Sequence, residues 1–125
     1  MSDTPRILLI DDEPGTTEFV SHLLERQGYE VVISESGEDA LKLLERDSNF
    51  DLVLLDYLMV GLDGIETLSM IKKQPKTQHL KVLIQSGLSD VEDMEKARAF
   101  GAVGYILKPY KPSELLDQVK KHLSP

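Results

Sequence analysis

Leu52, Val53, Leu54 and Leu55 form an unbroken apolar run, and a carboxylate, Asp56, stands directly behind it. A strand with one wet face alternates apolar and polar residues. A run with no polar face reads as a strand buried on both sides, as at the centre of a parallel sheet. Such a strand needs helices over both faces of its sheet, which excludes most other architectures. Asp56 falls where the strand leaves the sheet. Gly61, Asp63 and Gly64 follow as turn and helix-cap residues. A charge held at the end of a buried strand is costly unless something compensates it, so Asp56 is a functional candidate.

The rest of the chain repeats that pattern. Ile7 to Ile10 is a first apolar run, ending in Asp11, Asp12 and Glu13, and Pro14 suits the first turn of a helix. Phe19, Val20, Leu23 and Leu24 recur at helical spacing up to Gly28, a stop signal. Val31 to Ile33 is a shorter, less apolar strand, expected at a sheet edge. Ser36 caps the next helix, with Ala40, Leu41 and Leu44 as its stripe. Asp63 and Glu66 frame the start of a third helix carrying Ile65, Leu68 and Ile71, and residues 74–79 are a polar loop. Val82 to Ile84 is a fourth strand, followed by Gln85, Ser86 and Gly87. Ser89 and Glu92 predict a capping box for a helix with Val91, Met94 and Ala97 on one face. Tyr105 to Leu107 is a fifth strand ending at Lys108 and Pro109, and Pro112 opens a last helix with Leu115, Leu116, Val119 and Leu123. Five strand–helix alternations predict one α/β domain with a parallel sheet, right-handed crossovers and helices on both faces.

Bulk properties narrow the function. With 125 residues, the chain is one domain with room for a real core. A net charge of -8 lacks the basic footprint of a nucleic-acid binder. The absence of cysteine removes disulfides, thiol nucleophiles and cysteine metal sites. No apolar run approaches the ~20 residues that span a bilayer. The opening MSDTPR is too short and polar for a signal peptide, so the expected location is the cytoplasm.

The polar residues behind the strands carry the chemistry. They are Asp11 and Asp12 after the first strand, Asp56 after the third, Ser86 after the fourth and Lys108 after the fifth. A parallel sheet puts all carboxyl ends on one rim, where doubly wound sheets bind ligands. Carboxylates ~5 Å apart repel by roughly 3 kcal/mol per pair at an effective dielectric of ~20. Such a site raises a pKa or binds a cation. Oxygen donors alone favour a hard ion, Mg²⁺ first and Mn²⁺ next. A carboxylate nucleophile, a cation site, a hydroxyl and an ammonium are the parts needed to form an aspartyl phosphate.

In LLIDDEP, DLVLLDYLMVGLDGIE, VLIQSG and GAVGYILKPY, in that order and at these spacings, the chain resembles the receiver domains of bacterial two-component response regulators over essentially its whole length. The resemblance implies a flavodoxin-like (βα)5 sheet of order 2-1-3-4-5, with residues 1–125 forming one receiver domain and no effector domain following. It implies that Asp56 accepts a phosphoryl group from a sensor histidine kinase or phosphotransfer protein. Asp11, Asp12, Asp56 and the Leu58 carbonyl would hold Mg²⁺, and Ser86 and Lys108 the phosphoryl oxygens. Tyr105 would be the aromatic switch residue that follows Ser86, and the Lys108–Pro109 bond would be cis. The expected output is a signalling switch rather than an enzyme on external substrates. Its partner surface would run over the fourth helix, fifth strand and fifth helix, with the protein a monomer or a phosphorylation-dependent dimer.

Four positions depart from the family pattern. Val60 stands where proline is usual, and Ser86 where threonine is commoner. Leu58 and Leu88, each two residues beyond a site residue, offer no polar atom to orient an attacking water, which predicts a long-lived phosphoryl group. Two other functions fit parts of the pattern. A phosphorylation-independent interaction module would not need every site position that is present. A Mg²⁺-dependent hydrolase would carry a DxD pattern after the first strand and a substrate cap, and neither occurs. His22, His79 and His122 carry no assigned role, and Tyr110 is expected to pack at the surface.

Overall fold

The computed structural model describes residues 4–124. The first residues of the MSDTPR stretch and Pro125 lie outside the described residues. The elements alternate throughout: β1 (Arg6–Ile10), α1 (Pro14–Glu25), β2 (Glu30–Ser34), α2 (Gly37–Arg46), β3 (Leu52–Asp56), α3 (Gly64–Lys73), β4 (Val82–Ser86), α4 (Val91–Ala99), β5 (Gly104–Leu107) and α5 (Pro112–Leu123). The five strands form one sheet in the order β2-β1-β3-β4-β5, and every pairing is parallel. The (βα)5 architecture and strand order implied by the resemblance are therefore those of the molecule, and β2 is an edge strand.

β3 sits at the centre with all five residues buried, as an all-apolar run requires. Its alternate side chains feed two cores. Val53 and Leu55 join Ala40, Leu44, Ile65, Leu68, Ile71 and Ala97 from α2, α3 and α4. Leu52 and Leu54 join Val20, Leu24, Leu115 and Val119 from α1 and α5. At about 25 cal/mol per Å² of apolar area, these two layers are the main stabilising term of the domain.

The helix starts follow their local chemistry. The Ser36 hydroxyl accepts the Asp39 N–H at 3.0 Å. Asp63 and Glu66 form a reciprocal capping box, with Glu66 N–H to Asp63 at 2.8 Å and Asp63 N–H to Glu66 at 3.1 Å. Gly64 is required here, because a Cβ on it would lie 2.5 Å from the Asp56 carbonyl oxygen and 2.7 Å from Tyr57 Cα.

Three expectations are corrected. Phe19 is 54% exposed, because the face of α1 that meets the sheet turns through Thr17, Val20, Ser21 and Leu24 instead. α4 begins after Asp90, not Ser89, and carries no side-chain cap; no Ser89–Glu92 box forms. Val91 is 65% exposed, and only Ala97 of α4 is buried, so the predicted three-residue stripe shrinks to one anchor. Each strand also runs one or two residues beyond its predicted ends, except at the start of β3 and β4 and the end of β1 and β5, since backbone pairing continues past the apolar run.

Candidate acidic metal and phosphoryl site

Parallel pairing fixes the level of each strand end. Leu55 pairs with Ile10 and Ile84, Asp56 with Gln85, and Ser86 with Leu107. Asp11, Asp56, Ser86 and Lys108 therefore emerge together at the carboxyl rim. Carboxylate oxygens of Asp11, Asp12 and Asp56 lie within 4.8 Å of one another. Lys108 Nζ donates to Asp56 Oδ1 at 3.3 Å and stands 3.7 Å from Asp11 Oδ2, beyond hydrogen-bond reach.

The three carboxylates are held differently. Asp11 is buried; its Oδ1 accepts the Glu13 N–H at 3.0 Å, while its Oδ2 is buried with no hydrogen-bond partner. Asp12 is exposed, and its Oδ2 accepts the Val60 N–H at 3.0 Å. A proline at position 60 could not make that bond, so the Val60 departure ties the loop after β3 to Asp12. Asp56 is buried, and its carboxyl is pushed up from 3.8 to about 6, first by burial and then by the charge of Asp11, with Lys108 opposing. Burial likewise raises Asp11.

The donor set fits a hard divalent cation. It is all oxygen, it is acidic, and one buried carboxylate oxygen lacks any other partner. Leu58, whose carbonyl would complete the protein ligands, lies in the loop two residues past Asp56 with its side chain 57% exposed. Ser86 is buried at the end of β4, and its hydroxyl accepts the Leu88 N–H at 3.0 Å.

Tyr105 is half-buried on β5. Its hydroxyl donates to the Leu88 carbonyl at 2.9 Å, and its ring meets Tyr57 edge-on at 6.3 Å. The Lys108–Pro109 bond is cis, as expected. His22 and His79 are exposed, and none of the three histidines joins this rim.

Three residues here have no site role in the sequence reading. Tyr57, directly behind Asp56, donates from its hydroxyl to Asp93 at 3.3 Å. Gln85 is fully buried, and Tyr110 donates from its hydroxyl to Gln85 Oε1 at 2.8 Å. Tyr110 is thus half-buried and bonded inward rather than simply packed at the surface. The usable signal is Gln85 itself, an amide directly behind the apolar run of the fourth strand and directly before Ser86.

Fold and rim together define a doubly wound α/β protein with an acidic, cation-fitted pocket at its topological switch point. Residues 7–120 match the family described as the response regulator receiver domain, and the chain belongs to that family. It is a receiver domain of the two-component phosphorelay, a phosphoacceptor module. It is 38% identical over 117 residues to a probable cyclic di-GMP phosphodiesterase of Vibrio cholerae, covering 94% of this chain and 26% of that protein. It is 30% identical over 118 residues to sporulation initiation phosphotransferase F of Bacillus subtilis, covering 94% of this chain and 93% of that one. Among solved structures it resembles the receiver domain of a sensor histidine kinase of Pseudomonas aeruginosa, which has a magnesium ion coordinated in its active-site cleft. That match has 25% identity and a TM-score of 0.87, over 96% of this chain and 98% of that one. The chain spans a quarter to a half of the length of several curated relatives it matches. Among the described residues, no helix is long and apolar enough to cross a membrane.

Proposed function

We propose that Asp56 is the residue that takes the phosphoryl group, with a sensor histidine kinase or phosphotransfer protein of the cytoplasm as donor. The observation that carries this reading is the convergence of three carboxylates within 4.8 Å on an ammonium 3.3 Å from Asp56. An Asp56 carboxylate oxygen attacks phosphorus in line. The bond from phosphorus to the donor imidazole nitrogen breaks, and the electron pair leaves with the imidazole. Lys108 offsets the charge on the phosphoryl oxygens, and the Ser86 hydroxyl donates to one of them. Asp11, Asp12, Asp56 and the Leu58 carbonyl would hold Mg²⁺, with Mn²⁺ a substitute of similar chemistry. A bound Mg²⁺ supplies charge neutralisation at those same oxygens.

The phosphoryl group stays on the chain, so the protein acts as a switch and not as an enzyme on external substrates. Ser86 moving toward the phosphoryl group draws on Leu88, and Leu88 accepts the Tyr105 hydroxyl. Those bonds support a readout through α4, β5 and α5, where Ala97 is the one buried residue of α4. Incubation with acetyl phosphate and Mg²⁺, followed by intact-mass measurement, tests the reading. A phosphoryl adduct is expected on the parent and not on Asp56→Ala. No adduct on the parent, or one that survives Asp56→Ala, refutes it.

A further inference from the structure

We propose that Gln85 and Tyr110 are positioning residues for phosphotransfer, acting through Lys108; this takes Asp56 as the acceptor, as read above. Lys108 is a long side chain on the connection between β5 and α5, and something must hold its backbone in place. The Lys108 N–H donates to the Ser86 carbonyl at 2.8 Å. Two residues further, past the cis bond, the Tyr110 hydroxyl donates to Gln85 Oε1 at 2.8 Å. The segment Lys108–Pro109–Tyr110 is thus tied at both ends to consecutive residues of β4. Gln85 is the residue of β4 that pairs with Asp56 in register. One brace therefore joins the strand paired with the acceptor strand to the segment that carries the ammonium.

The Gln85 amide is poorly suited to packing alone. It is fully buried in the sheet, and its Nε2 has no hydrogen-bond partner. A buried polar group left unsatisfied costs free energy, and exchanging both partners of such a bond for apolar groups of similar shape is close to neutral. Leucine and phenylalanine would fill the same space without the orphaned N–H. A pair that stability does not require, placed beside the acceptor, is explained by what it positions.

The double variant Gln85→Leu/Tyr110→Phe separates position from stability. Acetyl phosphate with Mg²⁺ is the probe, the time course of the phosphoryl adduct is followed by intact mass, and Mg²⁺ affinity is measured by calorimetry. The expected result is a melting temperature no lower than the parent, an unchanged Mg²⁺ affinity, and a phosphorylation rate reduced about tenfold, as for a modest misplacement of a catalytic group. Tyr110→Phe alone is expected to slow the reaction similarly. A parental rate in the double variant overturns the proposal. So does a drop in melting temperature of the double variant, which makes the pair a structural tie, or a parallel loss of Mg²⁺ affinity, which makes the effect a general collapse of the pocket. Failure of the parent to form an adduct on Asp56 sinks the acceptor reading instead.

Discussion

Replacing Asp56 with asparagine is expected to stabilise the metal-free protein. Asp56 is buried, and its carboxyl stands at about 6 instead of 3.8, because burial and Asp11 together outweigh Lys108. At 1.36 kcal/mol per unit, keeping it ionised above pH 7 costs the folded state about 3 kcal/mol. The geometry explains why Lys108 does not cancel this. At an effective dielectric of ~20, attraction to Lys108 at 3.3 Å is about 5 kcal/mol, and repulsion from Asp11 within 4.8 Å is at least about 3.5 kcal/mol. Asp12, exposed and screened, adds less. Most of the attraction is spent against like charge, and the burial cost remains. An asparagine amide removes the charge but is itself buried, so the expected net gain is about 2 kcal/mol. For a domain of this size that is a rise in melting temperature of roughly 5–10 °C. The assay is thermal and urea unfolding at pH 7.5 in EDTA, then again with Mg²⁺. At 100 times its dissociation constant, Mg²⁺ adds about 2.7 kcal/mol to the parent. It should add much less to Asp56→Asn, so the advantage of the variant narrows or reverses. An Asp56→Asn protein that melts at or below the parent in EDTA would refute the electrostatic account of the rim.

Four further outcomes follow from named contacts. Leu88→Glu or Leu58→Asn should shorten the lifetime of the phosphoryl group several-fold by orienting a water; equal half-lives for both variants and the parent count against the leucine argument. Val60→Pro deletes the N–H that holds Asp12 Oδ2, so Mg²⁺ affinity measured by calorimetry should rise, by up to about tenfold for one such bond. Gly64→Ala places a methyl 2.5 Å from the Asp56 carbonyl oxygen, and should destabilise the fold by about 2 kcal/mol or more in urea titrations. The Arg6 guanidinium, bonded to Asp47 at 3.0 Å, holds that carboxyl below 3.8. Its contribution is present above pH 3.8 and disappears as pH falls through the lower folded value, so Asp47→Asn should melt below the parent at pH 7 and together with it at the acid end.

Much of the site was legible in the sequence for one geometric reason. In a parallel sheet every strand ends on the same rim, so residues behind separate apolar runs converge whatever the strand order. Asp11, Asp56, Ser86 and Lys108 could be grouped on that ground alone. The strand order needed the family resemblance, because parallel runs of similar composition do not record their neighbours. Helix faces were legible where an apolar stripe met the sheet squarely, as with Leu68 and Ile71. They were misread at Phe19 and Val91, where periodicity names an apolar face but not whether anything covers it.

The amino-acid sequence by itself determined the strand–helix rhythm, the buried central strand and the identity of the charged groups at its exit, because these depend on local pattern and on the common direction of the strands. Tertiary structure alone decided how those groups are held. It gave Asp11 an oxygen with no partner, tied Asp12 to Val60, and lifted Asp56 by burial. It also joined Gln85 to Tyr110 across 25 residues of chain. Each of these depends on distance and on exclusion of water between segments far apart in sequence, which no local pattern encodes.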